Sequence, residues 1–210
     1  MNYEEKIILW KSKILSEDKL EENICDSLTQ KIISVEGEIM NLGPSNYDKV
    51  PENTITAKHL YYNLLNYKWD ELEYLKRKII HNSSQIIGGD TFLIKMWANS
   101  LKKEQYIKKH IHHAEPIIET EDFKKNIFST ICGHLFLEND IDSETIYYFD
   151  NNTVPMQSIK GNIHFFSCIV PHEVLPYQGH KRISIAFDVY RADFFEKLGI
   201  PTPTDLIIIK

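Results

Sequence analysis

The sequence predicts an α+β chain, mainly helical in its first part and mainly strand-forming in its second. Two observations carry that prediction. Ahead of Gly88-Gly89 apolar residues recur at helical spacing, and after Thr91 the chain breaks into six short β-rich runs separated by turn residues. A length of 210 residues, with 42% hydrophobic and 26% charged residues, suffices for one sizeable core and gives no compositional case for disorder. We expect a single domain over 1–210, with helical support in 1–90, a β core in 91–190 and an extension in 191–210.

Taken in order, the short apolar run Lys6 to Trp10 predicts a strand. Leu20, Ile24, Leu28 and Ile32 recur every four residues and form one stripe of a helix that starts near Ser16 and stops before Gly37. Asn41 to Glu52, with Gly43-Pro44, Asn46, Asp48 and Pro51, predicts a surface loop. A second helix from about Thr56 buries Leu60, Leu64, Leu72, Leu75 and Ile79, and Asn82-Ser83-Ser84 with Gly88-Gly89 breaks it. The β-rich runs are Phe92 to Ala98, Tyr106 to His113, Ile127 to Leu137, Thr145 to Phe149, Asn162 to Val170 and Arg182 to Tyr190, a pattern of an all-β sandwich or barrel. Asp150-Asn151-Asn152 and Gln178-Gly179-His180 supply turns, and Leu206 to Ile209 adds an edge strand.

Thirty acidic residues against twenty-four basic ones give a formal charge of −6, which offers no broad footprint for duplex nucleic acid. Cys25, Cys132 and Cys168 are odd in number and show no paired spacing, which disfavours a disulfide scaffold or a CxxC zinc site and suits a reducing compartment. The N-terminus has no signal-peptide core, and no apolar run reaches membrane-span length. The expectation is a soluble cytoplasmic protein with no membrane or disulfide partner. No P-loop, dinucleotide fingerprint or nucleophile elbow is present.

Seven of the nine histidines lie between His110 and His180. On a strand His110 and His112 share a face, so His-x-His is a two-ligand edge that needs a third ligand from a distant strand. Taken alone, such a pair beside Lys108 and Lys109 is more often solvent-facing. His172 follows an apolar strand and a proline, where the chain leaves the sheet. Arg182, Ser184 and Ala186 share one face of the next strand, and a guanidinium fork beside a hydroxyl is suited to clamping a carboxylate. An arginine at a strand start more often meets a surface acid. His134 and His164 read as core residues or as residues behind the ligands, and His180 as solvated. Trp97, Phe136, Phe165, Phe166 and Phe187 read as packing.

The order Trp97-Ala-Asn99, His110-x-His112, Cys132-Gly133-His-Leu-Phe-Leu137, Gly161 to His172 and Arg182-x-Ser184 resembles the 2-oxoglutarate- and Fe(II)-dependent oxygenases, and most of all the small oxygenases of bacterial and phage genomes. The likeness spans about Thr91 to Tyr190. It implies a double-stranded β-helix (jelly roll) with N-terminal support helices and iron in its open mouth. It also implies a dioxygenase, a hydroxylase by default, that uses Fe(II), 2-oxoglutarate and O₂ and releases succinate and CO₂. Carried over, His110, His112 and His172 are the metal ligands. Arg182 and Ser184 clamp the far carboxylate of 2-oxoglutarate, and Asn99 and Tyr106 are further polar contacts to it. No catalytic residue beyond these ligands is implied.

The wider superfamily uses His-x-Asp or His-x-Glu, so His112 stands where a carboxylate is usual. The register His113-x-Glu115 would restore one, but it precedes Pro116 and matches the spacing less well. Two rival readings are a cupin-like metal-binding protein without oxygenase activity and a non-catalytic phage structural or interaction protein. The prime substrate is open among a protein side chain, a nucleic acid and a small molecule, being set by loops such as Glu115 to Asn126 and Glu138 to Glu144.

Overall fold

A computed structural model of the chain describes residues 3–45, 48–112, 119–150 and 152–210. Helix α1 (Tyr3–Lys11) leads into strand β1 (Ser16–Lys19), helix α2 (Glu22–Met40), two 3-10 segments (Ile55–Tyr61 and Leu64–Tyr67) and helix α3 (Asp70–Ile87). The β-rich part follows: β2 (Phe92–Leu101), β3 (Ile107–His110), the short helix α4 (Glu121–Asn126), β4 (Thr130–Asn139), β5 (Glu144–Phe149), β6 (Asn152–Gln157), β7 (Asn162–Phe166), β8 (His172–Val174) and β9 (Arg182–Arg191). One helical turn, α5 (Phe194–Lys197), and β10 (Ile207–Ile209) complete the order. No helix among the described residues is long and apolar enough to cross a membrane.

Among the described residues the strands form two antiparallel sheets and no closed barrel. The major sheet runs β1-β7-β4-β9-β2-β10 and the minor sheet β3-β8-β5-β6. Strand β9 is the spine: β2 pairs with it from Phe92↔Arg191 to Leu101↔Arg182, and β4 pairs on its other side, with a bulge between Phe136 and Glu138. Alternation then divides the residues of β9. Ile183, Ile185, Phe187 and Val189 join Leu28, Ile32, Leu72 and Ile79 in one continuous apolar core, with α2 and α3 packed on β4. The opposite face of β9 turns toward the minor sheet and carries the polar residues treated below.

Strand β10 pairs with only Phe92 to Ile94, and side chains from the 3-10 region cover much of the remaining edge of β2. The Asn63 amide donates to the Ile94 carbonyl (2.9 Å) and accepts from the Met96 N–H (3.3 Å), while the Tyr62 hydroxyl donates to the Ala98 carbonyl and accepts from its N–H. These bonds satisfy backbone groups that would otherwise be orphaned. They also lay the first 3-10 segment, with Thr56 and His59, over the site.

Several expectations are corrected. Lys6 to Trp10 is helical: Trp10 is buried while Ile8 and Leu9 face solvent, a one-sided pattern too short to separate from a strand by composition. The helix predicted from Ser16 begins at Glu22, because Ser16–Lys19 pairs with β7, and it runs through Gly37, whose Cβ position is open space. The helix predicted from Thr56 is two 3-10 segments before α3, and Leu60 is exposed rather than buried. Asn82-Ser83-Ser84 does not end α3, since the Asn82 amide donates to Asp18 and to the Lys78 carbonyl. Of the described part of the run Tyr106 to His113, Ile107–His110 is a strand and His113 lies outside the described residues; the run Asn162 to Val170 is a strand only to Phe166. In the run from Ile127, residues Ile127–Ser129 are a 3-10 turn before β4, and the predicted loop to Asn126 contains α4. Strands β6 and β8 were not foreseen. The first is an exposed edge strand containing Pro155, and the second is three residues long.

Two glycines give opposite tests of this packing. A Cβ on Gly133 would lie 2.1 Å from the Phe187 ring and 2.5 Å from the His164 carbonyl oxygen, whereas one on Gly37 meets nothing within 4 Å. Gly133→Ala is expected to lower unfolding free energy by about 1–3 kcal/mol or more through overpacking. Gly37→Ala should raise it by roughly 0.5–1 kcal/mol. Urea unfolding of both variants checks this pair of opposite signs.

Candidate metal centre and anion cleft

Three imidazoles converge where β3 meets β8. His110 lies opposite His172 in that pairing, and His112 follows two residues on, its N–H bonded to the Cys168 carbonyl. One ligand atom from each of His110, His112 and His172 lies within 4.8 Å of the others. The ring centroids are 4.4 Å apart for His110 and His172, and 5.0 Å for His112 and His172.

The hydrogen bonds of these rings assign their protons. His110 Nδ1 donates to the Lys108 carbonyl (2.9 Å) and His172 Nδ1 to the Val170 carbonyl (3.1 Å), because a carbonyl only accepts. His112 Nδ1 is bonded to a carboxylate oxygen of Asp188. In the neutral rings all three Nε2 atoms therefore present lone pairs, and those of His112 and His172 face one another at 3.3 Å. Two lone pairs at that separation repel unless a cation lies between them. Two nitrogens bound to one metal at about 2.0–2.1 Å stand about 2.8–3.4 Å apart for right-angled to tetrahedral geometry. The donor set fits a borderline divalent ion that prefers imidazole nitrogen.

Burial keeps the His110 and His172 rings neutral. Desolvation, helped by the neighbouring His112, lowers His110 to about 4, and desolvation with the other histidines takes His172 well below its ordinary value. His134, on β4, is lowered in the same way. It lines the cleft beside His172, and its Nδ1 meets the Tyr147 hydroxyl at 3.2 Å.

From the histidines a cleft runs inward between the sheets to Arg182. Trp97 and Asn99 of β2, His134 of β4, Thr145 of β5, and Arg182, Ser184 and Ala186 of β9 line it. Arg182 is 2% exposed, and its hydrogen-bond partners are neutral hydroxyls: Thr145 and Ser158, each at 3.0 Å from Nη2, and Ser143 at 3.3 Å from Nε, with the guanidinium 5.6 Å from the Phe136 ring centroid. No carboxylate forms an ion pair with it among the described residues. Desolvation lowers it to about 10, so it keeps its charge at neutral pH. A buried guanidinium without a counter-charge is costly, and an anionic ligand offsets that cost. Nearby, Asn99 donates to Ser184 Oγ at 3.4 Å, while Asn99 Oδ1 and Thr56 Oγ1 are buried with no partner. These are open hydrogen-bonding positions inside the cleft.

Of the residues predicted from the sequence, the structure thus brings His110, His112, His172, Arg182, Ser184 and Asn99 to one cleft. Tyr106 is half-buried ahead of β3 and does not line it. His113 and Glu115, the alternative register, lie outside the described residues. The sequence reading missed Asp188, although strand alternation puts it on the face of Arg182 and Ser184. It also missed His59, whose 3-10 segment has no strong pattern, and the three hydroxyls around Arg182, of which Thr145 lies on β5, Ser143 just before it and Ser158 just after β6. Outside the histidines the cleft opens into a groove of about 1990 Å³ lined by Lys49, Lys109, Tyr190, Phe195 and residues 203–206.

No protein-family model matches the chain, and no curated protein matches it. Solved structures do. HygX from Streptomyces hygroscopicus, with nickel and 2-oxoglutarate bound, is 10% identical at a TM-score of 0.61, over 91% of this chain and 88% of that one. A prolyl hydroxylase from Trichoplax adhaerens, in complex with a hypoxia inducible factor peptide fragment, is 11% identical at 0.60, over 85% and 84%. A Pseudomonas putida prolyl-4-hydroxylase is 16% identical at 0.54, over 84% and 91%. The fold is accordingly a double-stranded β-helix carried on N-terminal helices, as the sequence led us to expect, and these neighbours share it.

The depressed histidines fix the sign of a pH dependence. Between 6.5 and about 4 the unfolded chain binds protons at His59 and His110 that the folded chain refuses. Stability contributed by these groups is therefore complete above the ordinary histidine value and is lost as pH falls through that window. Thermal unfolding of metal-free protein should show the midpoint dropping steadily below pH 6.5. A midpoint that stays flat to about pH 5 would contradict the neutral-imidazole cluster.

Proposed function

We propose that this chain is a 2-oxoglutarate- and Fe(II)-dependent dioxygenase, with His110, His112 and His172 as metal ligands and Arg182, Ser184 and Asn99 as the cosubstrate site. The observation that carries this reading is the pairing, in one buried cleft, of three imidazole lone pairs at one end with a guanidinium lacking any carboxylate at the other. A plain metal site gives Arg182 no role. A relative of the same fold with nickel and 2-oxoglutarate bound supports the same pairing of metal and keto acid here. We read residues 1–210 as one oxygenase domain and, from the three buried thiols, place it in the cytoplasm.

Bound Fe(II) would supply the redox chemistry that couples decarboxylation of 2-oxoglutarate by O₂ to substrate hydroxylation, with succinate and CO₂ as products. The residues do the rest. Arg182, held rigid by Thr145, Ser158 and Ser143, anchors the carboxylate far from the metal and fixes which end of the diacid points outward. Ser184 and Asn99 add short-range selectivity for that carboxylate. Trp97, with its ring 5.5 Å from that of His112, together with Ile107 and Val174, walls the cleft with apolar surface and excludes bulk water. The prime substrate then approaches through the outer groove.

An anaerobic titration with Fe(II) and 2-oxoglutarate tests the reading through the visible charge-transfer band of a metal-chelated keto acid. The band should form in wild type. Arg182→Ala should weaken 2-oxoglutarate binding by at least about 30-fold, as expected when one partner of a buried charged pair is removed. His172→Ala should lose both metal and band. Metal binding without a band would favour the cupin-like reading, and neither would favour a barrel kept for binding or assembly.

A further inference from the structure

The cleft carries an imbalance of charge. A divalent cation among three neutral imidazoles would share a buried space with the Arg182 guanidinium, with no carboxylate among the three ligands. In a medium of low polarity two such cationic centres disfavour each other and the loading of the metal.

One buried carboxylate lies in position to answer this. Asp188 is 7% exposed and sits on the same face of β9 as Arg182 and Ser184. One of its oxygens accepts from His112 Nδ1, and the other accepts from the Tyr190 hydroxyl at 3.4 Å. The Cys132 thiol, directly across from it on β4, also contacts it. Its cross-strand neighbour on β2, Lys95, turns away to an ion pair with Asp205, so the cation best placed to capture Asp188 is engaged elsewhere. The carboxylate is thus oriented on His112 from several sides.

We propose that Asp188 is a positioning residue of the metal centre: it holds His112 as the Nδ1–H tautomer, aims Nε2 at the metal, and places a negative charge one hydrogen bond behind the three imidazoles. A carboxylate behind a ligating imidazole makes the ring a stronger donor and fixes its plane. His110 and His172 differ in kind, since their Nδ1 atoms rest on neutral backbone carbonyls. His112 is therefore the ligand through which charge reaches the ion. This inference rests on the metal reading of the three histidines.

The test uses Co(II) as the probe. Metal-free protein is first studied by ¹⁵N NMR of its histidine rings, and wild type should show His112 protonated at Nδ1. Co(II) titration, followed by its visible absorption, then compares wild type with two variants. Asp188→Asn keeps an acceptor but removes the charge, so the tautomer should persist while affinity falls about 10-fold. Asp188→Leu removes both, so the tautomer should become mixed and affinity fall about 100-fold. Thermal unfolding checks that each variant is folded, and the wild-type ring assignment stands without any variant. Wild type that binds Co(II) with His112 protonated at Nε2, or folded variants that bind as tightly as wild type, would overturn the role of Asp188. Wild type that fails to bind Co(II) would overturn the metal reading itself.

Discussion

Strand β9 is hydrogen-bonded to β2 along one side and to β4 along most of the other, and that double pairing holds its pleat in a single register. Because side chains alternate, the register decides at once which residues join the apolar core and which face the cleft. Arg182, Ser184 and Ala186 face the cleft and Asp188 the groove beside it; Ile183, Ile185, Phe187 and Val189 face the core. A slip of one residue would put a guanidinium and a carboxylate against Leu28 and Ile32 and turn four apolar side chains toward the histidines. The apolar half of β9 therefore secures the polar half, and the chemistry of the cleft depends on packing that never touches it.

The polar half would be hard to maintain without that support. Arg182 is buried among hydroxyls, Asn99 Oδ1 has no partner, and two imidazole lone pairs face each other across 3.3 Å. Each is unfavourable in an interior that otherwise satisfies its polar groups. They are not scattered: all line one cleft. Such concentration marks a site whose energy is settled by what binds there.

The sequence showed much of this, and its limits have physical causes. The class of fold and the residues that converge in the cleft were legible because strand alternation and short His-x-His and Arg-x-Ser spacings are local properties of the chain. Asp188 obeyed the same alternation and could have been read from it. Thr145, Ser158 and Ser143 could not, since only the folded minor sheet and its turns bring them to Arg182. Tyr106 shows the opposite failure, a residue near the motif in sequence that does not reach the cleft. Local misreadings arose where tertiary pairing overrode propensity: Ser16–Lys19 is a strand because β7 offers it an edge, and Asn82 continues a helix because Asp18 holds its side chain. Strand β6 escaped notice because its proline sits on a sheet edge, where the missing donor costs nothing.

The outer groove rests on a different kind of support. Residues 203–206 form one of its walls, and β10, next to them, is joined to the major sheet by only three residues, with the Lys95–Asp205 ion pair and the Asn63 bond to the Asp205 carbonyl as its ties. None of the histidines, and neither Arg182 nor Ser184, belongs to that wall. Mutation can accordingly reshape what the groove admits while the pocket behind it stays constant. The wall at residues 203–206 and the cleft behind it are thus encoded in separate stretches of the chain, and one can change while the other is kept.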